Sequence, residues 1–277
     1  MTREIAEESL IPSAGDERGE VGQEQGRVSF AKQAIDNVKH LFNIDGMELE
    51  RFMTIKPSRA DRARARLLAA AIEVFGEKGP KGATVREIAR VAGQNVAAIA
   101  YYFGSKEKLY SAVLEGIVRE IRYQLREVLE EVQGLQNSPH RSRVEAARIL
   151  KKFLQTIYLR LISRNEIAGV GRLIIREQLR PTAGFEVLYT HGFRGLHEAL
   201  CFLVGVALGK EPESRETMVR TNLIMGQVYF FAMAREATLR RLKWEDLEGE
   251  NATWVAGLLG EHVDALLATL AKPTEKL

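Results

Sequence analysis

Hydrogen-bonding side chains gather in one short stretch of this 277-residue chain. Gln94 and Asn95 follow a glycine, and Tyr101 and Tyr102 come within the next two helical turns. Helical periodicity turns all four side chains outward, because the apolar positions between them face a neighbouring helix. Two adjacent exposed tyrosines are unusual on a free surface, so we expect a partner to cover them. Side chains of these types hydrogen-bond to phosphates and base edges, which is the chemistry of nucleic-acid binding.

The positive charge of the chain is concentrated around this stretch. Residues 58–110 hold 10 Lys and Arg against 5 Asp and Glu, a net charge of +5. Residues 1–57 hold 7 against 11, a net charge of −4, and the remaining residues hold 23 against 21. A basic excess confined to so short a segment is typical of a nucleic-acid contact.

Catalytic and metal-binding patterns give no competing signal. The sequence has no Ser-His-Asp set and no Cys-His pairing, and His191 and His197 are six residues apart, so they do not share a helix face. The single cysteine, Cys201, excludes an internal disulfide, and its apolar surroundings favour a buried small side chain over a nucleophile. We therefore expect no enzyme activity, no cofactor and no metal, although catalytic sets need not be close in sequence.

Targeting signals are also missing from the sequence. The longest apolar run, residues 199–208, is about half as long as a membrane span requires. Residues 1–26 are acidic and polar, unlike a signal peptide. These patterns predict a cytoplasmic protein without a membrane contact.

A helix-turn-helix between Thr84 and Phe103 is predicted to position the polar side chains. Thr84 and Glu87 form a capping pair at the start of a short helix, Gly93 ends it in a left-handed turn, and Asn95 caps the next helix. The predicted inner faces of the two helices are apolar: Val85, Ile88, Ala89 and Ala92 in the first, and Val96, Ile99, Ala100 and Phe103 in the second.

Helices are predicted on both sides of this pair. The preceding one is capped by Asp61, ends within residues 76–82, and buries one apolar face made of Leu67, Leu68, Ala71, Ile72 and Phe75. Ser105 begins a long helix toward Leu129. Later helices are predicted at residues 144–161, 166–178, 185–208, 214–239 and 252–270.

The fold is therefore predicted to be all-α, since no strand alternation is present. Residues 1–57 form a largely disordered extension, residues 58–113 a helix-turn-helix domain, residues 114–272 a larger helical domain, and residues 273–277 a tail. The larger domain is predicted to bind a ligand and to dimerise, because its long amphipathic helices near the end can pair with their copies.

Two motifs resemble the DNA-binding domain of TetR-family regulators: TVREIARVAG at residues 84–93 and YYFGSKEKL at residues 101–109. The resemblance covers residues 62–110 and includes the helix lengths, the turn glycine and the segment after Phe103. Residues 94–99 and 177–182 also resemble the CerR/YbiH-like subgroup of that family. On this resemblance the chain is identified as a member of the TetR family.

The resemblance implies a homodimeric regulator, typically a repressor, that binds a palindromic double-stranded operator and is released by a small-molecule effector. It places the third helix of the domain in the major groove, with half-sites one DNA turn apart. It implies that Thr84 and Lys106 contact phosphates, that Tyr101 and Tyr102 hold the DNA backbone, and that Arg86 reaches a base. The guanidinium fork of arginine suits O6 and N7 of guanine.

The start of the third helix departs from the family pattern. Val96, Ala97 and Ala98 are small and apolar, so they can touch thymine methyl groups but cannot donate side-chain hydrogen bonds. We expect Arg86, Gln94 and Asn95 to supply most of the polar base contacts, although Asn95 serves first as a helix cap. DNA shape would add the remaining specificity.

Polar residues embedded in the apolar C-terminal helices are the candidates for the effector site. They are Arg160, Arg172, Glu177, His191, His197 and Tyr229. Each also has a structural interpretation: Glu177, for example, could pair with Arg176 or Arg180. None of them identifies the effector.

Several alternatives stay open at this point. Arg59, Arg62, Arg64 and Arg66 could form an arm that reaches DNA or a solvated first helical turn. The whole chain could instead be an all-α enzyme or ligand carrier, or a non-specific architectural DNA binder. A salt titration with specific and scrambled DNA separates these classes.

Overall fold

The computed structural model describes residues 58–162 and 168–270, and every regular element within these ranges is a helix. In chain order the helices are α1 (Arg59–Gly82), α2 (Val85–Val91), α3 (Val96–Phe103), α4 (Lys106–Gln124), α5 (Arg126–Asn137), α6 (Arg143–Ile162), α7 (Ala168–Leu179), α8 (Ala183–Leu188), α9 (Arg194–Leu208), α10 (Arg215–Met233), α11 (Arg235–Leu242) and α12 (Gly249–Leu270). A wide helical turn, Tyr189–Phe193, joins α8 to α9. The all-α prediction is confirmed. The predicted extension (1–57) and tail (273–277) lie outside the described residues.

The start of α1 differs from the prediction by three residues. Ser58, and not Asp61, is the cap: its Oγ accepts a hydrogen bond from the backbone N–H of Asp61 at 3.1 Å. The Asp61 carboxylate accepts in return from the backbone N–H of Ser58, also at 3.1 Å. A serine with an acidic residue three positions later forms this reciprocal box, so Asp61 belongs to the first turn. The predicted apolar face is confirmed, because all five of its residues are fully buried: Leu67, Leu68, Ala71, Ile72 and Phe75.

Three predicted helices are not regular along their whole length. The helix that starts after Ser105 bends at Leu125, where φ is −97° and ψ is 2°, before α5 continues to Asn137. The segment 214–239 breaks in the same way at Ala234, and the segment 185–208 widens at Tyr189–Phe193. Neither Leu125 nor Ala234 is a helix breaker, so packing against other helices sets these bends rather than local propensity.

Two apolar clusters form the core. The first contains residues of α1, α2, α3 and α4, together with Leu173 of α7 and Leu188 of α8. The second contains residues of α5, α6, α9, α10 and α12. Helix α7 therefore packs against the helix-turn-helix unit (residues 58–113), although it lies in the second half of the chain.

The backbones of α1 and α7 touch where two glycines face each other. A Cβ atom on Gly169 would lie 2.7 Å from the carbonyl oxygen of Ile72, and one on Gly76 would lie 2.9 Å from Cα of Gly169. Any side chain at either position would push the two helices apart. The glycines thus allow a close approach between the backbones of α1 and α7.

Within residues 58–162 and 168–270, no helix has both the length and the apolar composition needed to cross a bilayer.

Candidate nucleic-acid interface

The turn between α2 and α3 is built from local hydrogen bonds. Thr84 Oγ1 accepts from the backbone N–H of Glu87 at 3.2 Å, and Asn95 Oδ1 accepts from the backbone N–H of Ala97 at 2.9 Å. Gly93 has φ +60°, the left-handed conformation that was predicted. Gln94 Nε2 donates to the Gly93 carbonyl at 3.0 Å. These contacts fix the angle at which α3 leaves α2.

The capping pair at Thr84 forms only in one direction. The Glu87 carboxylate accepts from the Lys78 ammonium, which comes from the end of α1, instead of folding back on Thr84. The hydrogen bond with Glu87 raises the pKa of Lys78 above its ordinary value. The pair ties the end of α1 to the first turn of α2, and sequence inspection missed it.

The inner face of α3 is narrower than predicted. Ile99 and Phe103 are buried as expected, but Val96 and Ala100 are exposed, so the prediction was wrong for these two residues. The helix has only eight residues, and the two positions four apart fill the space against α2 and α4. Val96 is therefore free on the outer surface, where it was also expected to touch DNA.

The residues expected to meet DNA fall into two groups by exposure. The exposed residues are Thr84, Arg86, Asn95, Val96, Ala97 and Tyr101, and the half-buried ones are Gln94, Ala98, Tyr102 and Lys106. All ten lie on α2, its N-cap residue Thr84, α3, the turn between the two helices, or the first residue of α4. The structure thus brings the whole predicted set into one continuous stretch of the helix-turn-helix unit.

The two adjacent tyrosines have different surroundings. The side chain of Tyr101 is 82% exposed, whereas Tyr102 packs against the apolar cluster of the helix-turn-helix unit. Their rings meet edge to face at 4.9 Å between centroids. The ring of Tyr102 therefore holds the ring of Tyr101 in place through this edge-to-face contact. Tyr101 is the more accessible of the two phenols.

Lys106 has a structural contact in addition to its expected contact with DNA. Its Nζ donates to the carbonyl oxygen of Ala83 at 3.1 Å, across 23 residues of chain. An ammonium group has three donors, so two are left for a phosphate. The contact fastens the start of α4 to the residue before Thr84, which places both expected phosphate contacts side by side.

Basic residues of α1 lie next to this surface. The guanidinium of Arg64 lies over the ring of Phe103 at 5.4 Å, which brings the first turns of α1 beside the end of α3. Arg59, Arg62 and Arg66 are exposed on the same turns. In the described structure these residues belong to the regular helix α1. Their contact with DNA stays a prediction.

The six candidate effector residues are dispersed. Arg160 lies at the rim of a surface cleft between α4, α5 and α6, while Arg172, His191 and Tyr229 are exposed on α7, in the wide turn and on α10. His197 Nε2 lies 3.1 Å from Oδ1 of Asn222. Of the six, only Arg160 lines this cleft.

Cys201 is buried beside His197, with Sγ 3.6 Å from Nδ1. Burial raises the pKa of this thiol, which disfavours the thiolate and agrees with a small core side chain. In the described part of the chain, no group of three or more His, Cys, Asp and Glu side chains is arranged to hold a metal ion.

Glu177, the sixth candidate, is fully buried and belongs to a polar contact between α7 and α4. Its carboxylate accepts from Oη of Tyr110 at 2.6 Å, from the backbone N–H of Thr182 at 2.9 Å and from Oγ1 of Thr182 at 2.8 Å. It pairs with neither Arg176 nor Arg180 in the described structure. Burial, and then the hydrogen bond with Glu177, raise the pKa of Tyr110 well above its usual range, so this phenol stays a donor.

Arg176, next to Glu177, meets the end of α1. Its Nη2 donates to the carbonyl oxygens of Glu77 at 3.0 Å and Gly76 at 3.4 Å. A cation at the carboxyl end of a helix satisfies carbonyls that have no partner within the helix. Together with the glycine crossing, these contacts define a junction, made of Gly76, Tyr110, Gly169, Arg176 and Glu177. The only sequence signal for the junction was Glu177, a polar residue embedded in an apolar helix.

Two family models match the chain. Residues 67–113 match the model for bacterial regulatory proteins of the tetR family, and residues 146–270 match the C-terminal domain of the HTH-type transcriptional dual regulator CecR. The first match covers the helix-turn-helix unit, and the second covers α6 to α12 in the described structure.

Curated relatives agree with the family models. CecR of Shigella flexneri is 32% identical over 220 residues, which is 79% of this chain and 96% of that protein. The repressor NicS of Pseudomonas putida is 44% identical over 63 residues, 23% of this chain and 30% of NicS. A solved structure from Pseudomonas aeruginosa PAO1, assigned to transcriptional regulation, has a TM-score of 0.54 at 15% identity and covers 80% of this chain and 96% of its own. That structure supports the fold alone.

Proposed function

The chain belongs to the TetR family of bacterial transcriptional regulators, and from this membership we propose that it binds a palindromic DNA operator as a homodimer and is released by a small-molecule effector. The observation that carries the proposal is that all ten predicted DNA contacts are at least partly exposed and lie between residues 84 and 106, within the most basic part of the chain. Its relatives are transcriptional regulators, which argues against the enzyme and carrier alternatives. Since its operator would lie on bacterial DNA, we also propose a cytoplasmic location.

DNA binding and effector binding would belong to two separate domains. We propose residues 58–113 as the DNA-binding domain and residues 114–272 as the domain for effector binding and dimerisation. The packing of α7 on α1 gives the two domains a shared boundary, since Leu173 belongs to the apolar cluster of the helix-turn-helix unit. A displacement of α7 would therefore shift α1 directly.

Base recognition would come mainly from polar side chains at the edge of α3. Arg86 projects from the first turn of α2, and the exposed Asn95 and half-buried Gln94 stand at the start of α3. The Gln94 and Asn95 side chains also form hydrogen bonds that stabilise the turn. Each would therefore contribute both to the fold and to the contact with DNA. Val96 and Ala97 supply apolar surface for thymine methyl groups.

Substitution of Arg86 and of Tyr101 tests this division of roles. We expect Arg86→Ala to weaken binding to the selected operator by roughly tenfold or more while scrambled DNA changes little, because a base contact is worth about 1–3 kcal/mol. Tyr101→Phe removes an exposed phenol expected at the backbone and would weaken both DNAs equally. Fluorescence anisotropy with both DNAs measures each effect.

The operator sequence can be identified by selecting the DNA that the protein binds from a random pool. A palindrome with half-sites about 34–36 Å apart is expected for a dimer with two recognition helices. Equal loss on both DNAs for Arg86→Ala would contradict the assignment of Arg86. A steep salt dependence without any sequence preference would instead favour the architectural binder.

The proposed dimer surface is an apolar stripe along α10. Val219, Leu223, Phe230 and Met233 are exposed at spacings of four, seven and three residues, which keeps them on one side of the helix. Trp254 and Leu258 form a similar exposed pair on α12. Such a continuous apolar surface on a regulator that binds a palindrome is best covered by its own copy through a two-fold axis.

A charge placed in the stripe tests the dimer. We expect Leu223→Glu to give monomers, because two carboxylates would be buried against apolar side chains near the axis. Val144→Glu is the matched control, since Val144 is also strongly exposed but lies on α6 outside the stripe. Sedimentation equilibrium of both variants gives the mass, and a dimeric Leu223→Glu protein would contradict this surface.

The direction of regulation is a further part of the proposal. We propose repression at an operator that overlaps a promoter, as expected from the resemblance and from the name of NicS. The name of CecR describes a dual regulator, so activation from a different operator position is the second candidate. A reporter with the selected operator placed over the promoter, and then upstream of it, distinguishes the two.

A further inference from the structure

A surface cleft of about 730 Å³ lies where α4 bends into α5, with α6 as its opposite wall. Its size falls within the usual range of small-molecule sites. Glu120 and Tyr123 of α4, Val128 of α5, and Leu159 and Arg160 of α6 are among the residues that line it. Five of the ten lining residues are charged, three are uncharged polar side chains and two are aliphatic, so this cleft is more polar than most ligand sites.

Most of the charges around this cleft already have partners. The ammonium of Lys152 lies 2.5 Å from the Glu131 carboxylate. The guanidinium of Arg126 lies over the Tyr123 ring at 4.6 Å and 3.6 Å from Glu127. These cations are thus engaged by protein groups, so they are less available to a ligand.

The Glu120 carboxylate is different, because one of its oxygens has no hydrogen-bond partner among the described residues. Oε1 accepts from Gln124 Nε2 at 2.7 Å, whereas Oε2 is buried and unpaired. A buried acceptor without a donor is unfavourable, and a carboxylate is satisfied best by a cationic N–H group. Next to it, the Tyr123 ring is exposed, and the Arg126 guanidinium over one of its faces shows that this ring attracts cations.

We propose that this cleft is the effector site and that it binds a protonated organic amine with an apolar body. The ammonium donates to Oε2 of Glu120 beside the Tyr123 ring, and the body lies on Val128 and Leu159. Because Oε2 is shielded from solvent, the ligand shifts a lining side chain as it enters. The inference rests on the proposed function, since it names the effector class for that regulation.

The position of the cleft explains how such a ligand would reach the DNA surface. Helix α4 starts directly after α3, and Glu120 lies near its other end, one turn before the bend at Leu125. A ligand held between α4, α5 and α6 would change this bend and tilt α4, which carries Lys106 at its first residue. Ligand binding and operator binding would then favour different tilts of α4.

Three compounds with the same phenyl body and different head groups test the chemistry. Phenethylamine is a cation at neutral pH, phenethyl alcohol is neutral and hydrocinnamate is an anion. In calorimetric titrations of the full chain we expect saturable binding of the amine, with the alcohol and the acid at least about tenfold weaker, since a charge-assisted hydrogen bond is lost. Hydrocinnamate binding as tightly as the amine, or no saturable amine binding up to about 10 mM, would overturn the proposal.

Two glutamate variants on α4 locate the binding. Glu120→Gln keeps the shape and removes the charge, so amine affinity should fall by about tenfold or more. Glu115→Gln makes the same change on an exposed residue of α4 outside the cleft lining and should leave amine affinity within about twofold. Melting curves by circular dichroism confirm that both variants fold. Equal amine affinity in the wild type and Glu120→Gln would overturn the site.

Operator binding in the same preparation separates this inference from the proposed function. If the amine binds through Glu120 and saturating amine weakens the selected operator by more than about tenfold, which corresponds to a typical allosteric coupling, both are supported. If the amine binds and operator affinity does not change, the effector role of the cleft is overturned while DNA binding stands. If the chain binds no operator, the proposed function fails, and calorimetry still decides whether the cleft takes an amine.

Discussion

The helix-turn-helix unit and the junction are held together in different ways. In the unit, Thr84, Asn95 and Ser105 each accept a hydrogen bond from a backbone N–H two or three residues further along the chain. At the junction, Tyr110 bonds to Glu177 across 67 residues, and Arg176 bonds to the Glu77 carbonyl across 99 residues. These three caps of the unit are local and exposed, whereas the Tyr110 contact of the junction is long-range and buried.

This difference has consequences for stability and for regulation. A local cap can be lost with little effect beyond its own helical turn, because its neighbours keep their partners. A buried contact between distant helices leaves unpaired groups on both sides when one partner is removed. The junction should therefore tolerate less change, and we expect any movement of the C-terminal helices to reach α1 through it.

The largest expected effect is at the glycine crossing. Gly169→Ala would place a Cβ 2.7 Å from the Ile72 carbonyl oxygen, and backbone atoms on both helices leave no room for it to move. We expect a loss of about 3 kcal/mol in the free energy of unfolding, at the upper end of overpacking effects. Urea unfolding followed by circular dichroism measures it.

Gly171→Ala is the matched control on the same helix. Gly171 is exposed, and a Cβ there would meet nothing within 4 Å. Alanine has the higher helix propensity, so this variant should be more stable than the wild type by up to about 1 kcal/mol. Similar unfolding energies for the two variants would mean that the crossing of α1 and α7 is not tight.

A smaller loss is expected when the buried hydrogen bond is removed. Tyr110→Phe keeps the ring, which packs edge to face on Phe75 at 4.9 Å, and deletes the donor to Glu177. The carboxylate keeps its two contacts with Thr182, so we expect a loss of about 2 kcal/mol. The same change at the exposed Tyr101 should alter stability by less than about 0.5 kcal/mol.

Alkaline pH provides a second test of Tyr110. Its pKa in the folded chain lies above the unfolded value of about 10, because burial and the Glu177 carboxylate both disfavour the phenolate. The stabilisation is fully present below pH 10 and declines as the pH rises further, since the unfolded chain releases the proton first. Wild-type stability should therefore fall more steeply than that of Tyr110→Phe above about pH 10. Parallel slopes would show that Tyr110 titrates normally.

The sequence predicted the local contacts of the helix-turn-helix unit well. The caps at Thr84 and Asn95, the left-handed Gly93 and the buried face of α1 depend on neighbours a few residues away, so a pattern of residue types is enough to find them. The bends at Leu125 and Ala234 had no such signal, because both residues are good helix formers and packing overrides their propensity.

The junction could not be predicted for the same physical reason. Glu177 was noticed as a polar residue in an apolar helix, but its partner Tyr110 lies on another helix and no spacing rule connects them. Gly169 carries no signal at all, because its role depends on the backbone of α1 at Ile72. Within the proposed DNA-binding surface, the partial burial of Tyr102 was missed because it comes from the tertiary cluster and not from the periodicity of α3.

The smallest expected effect is at a local cap and sharpens the contrast with the junction. Ser105 Oγ accepts from the backbone N–H of Lys108 at 3.2 Å, at the start of α4. Ser105→Ala should cost about 1 kcal/mol, and Ser105→Gly only a few tenths, because glycine at a cap lets water reach the free N–H groups. Hydrogen exchange should become faster in residues 106–109 for the alanine variant, while the amides of α7 keep their protection. If the α7 amides lost protection to the same degree, the cap and the junction would form one cooperative unit, and the separation between local and long-range contacts drawn from the structure would not hold.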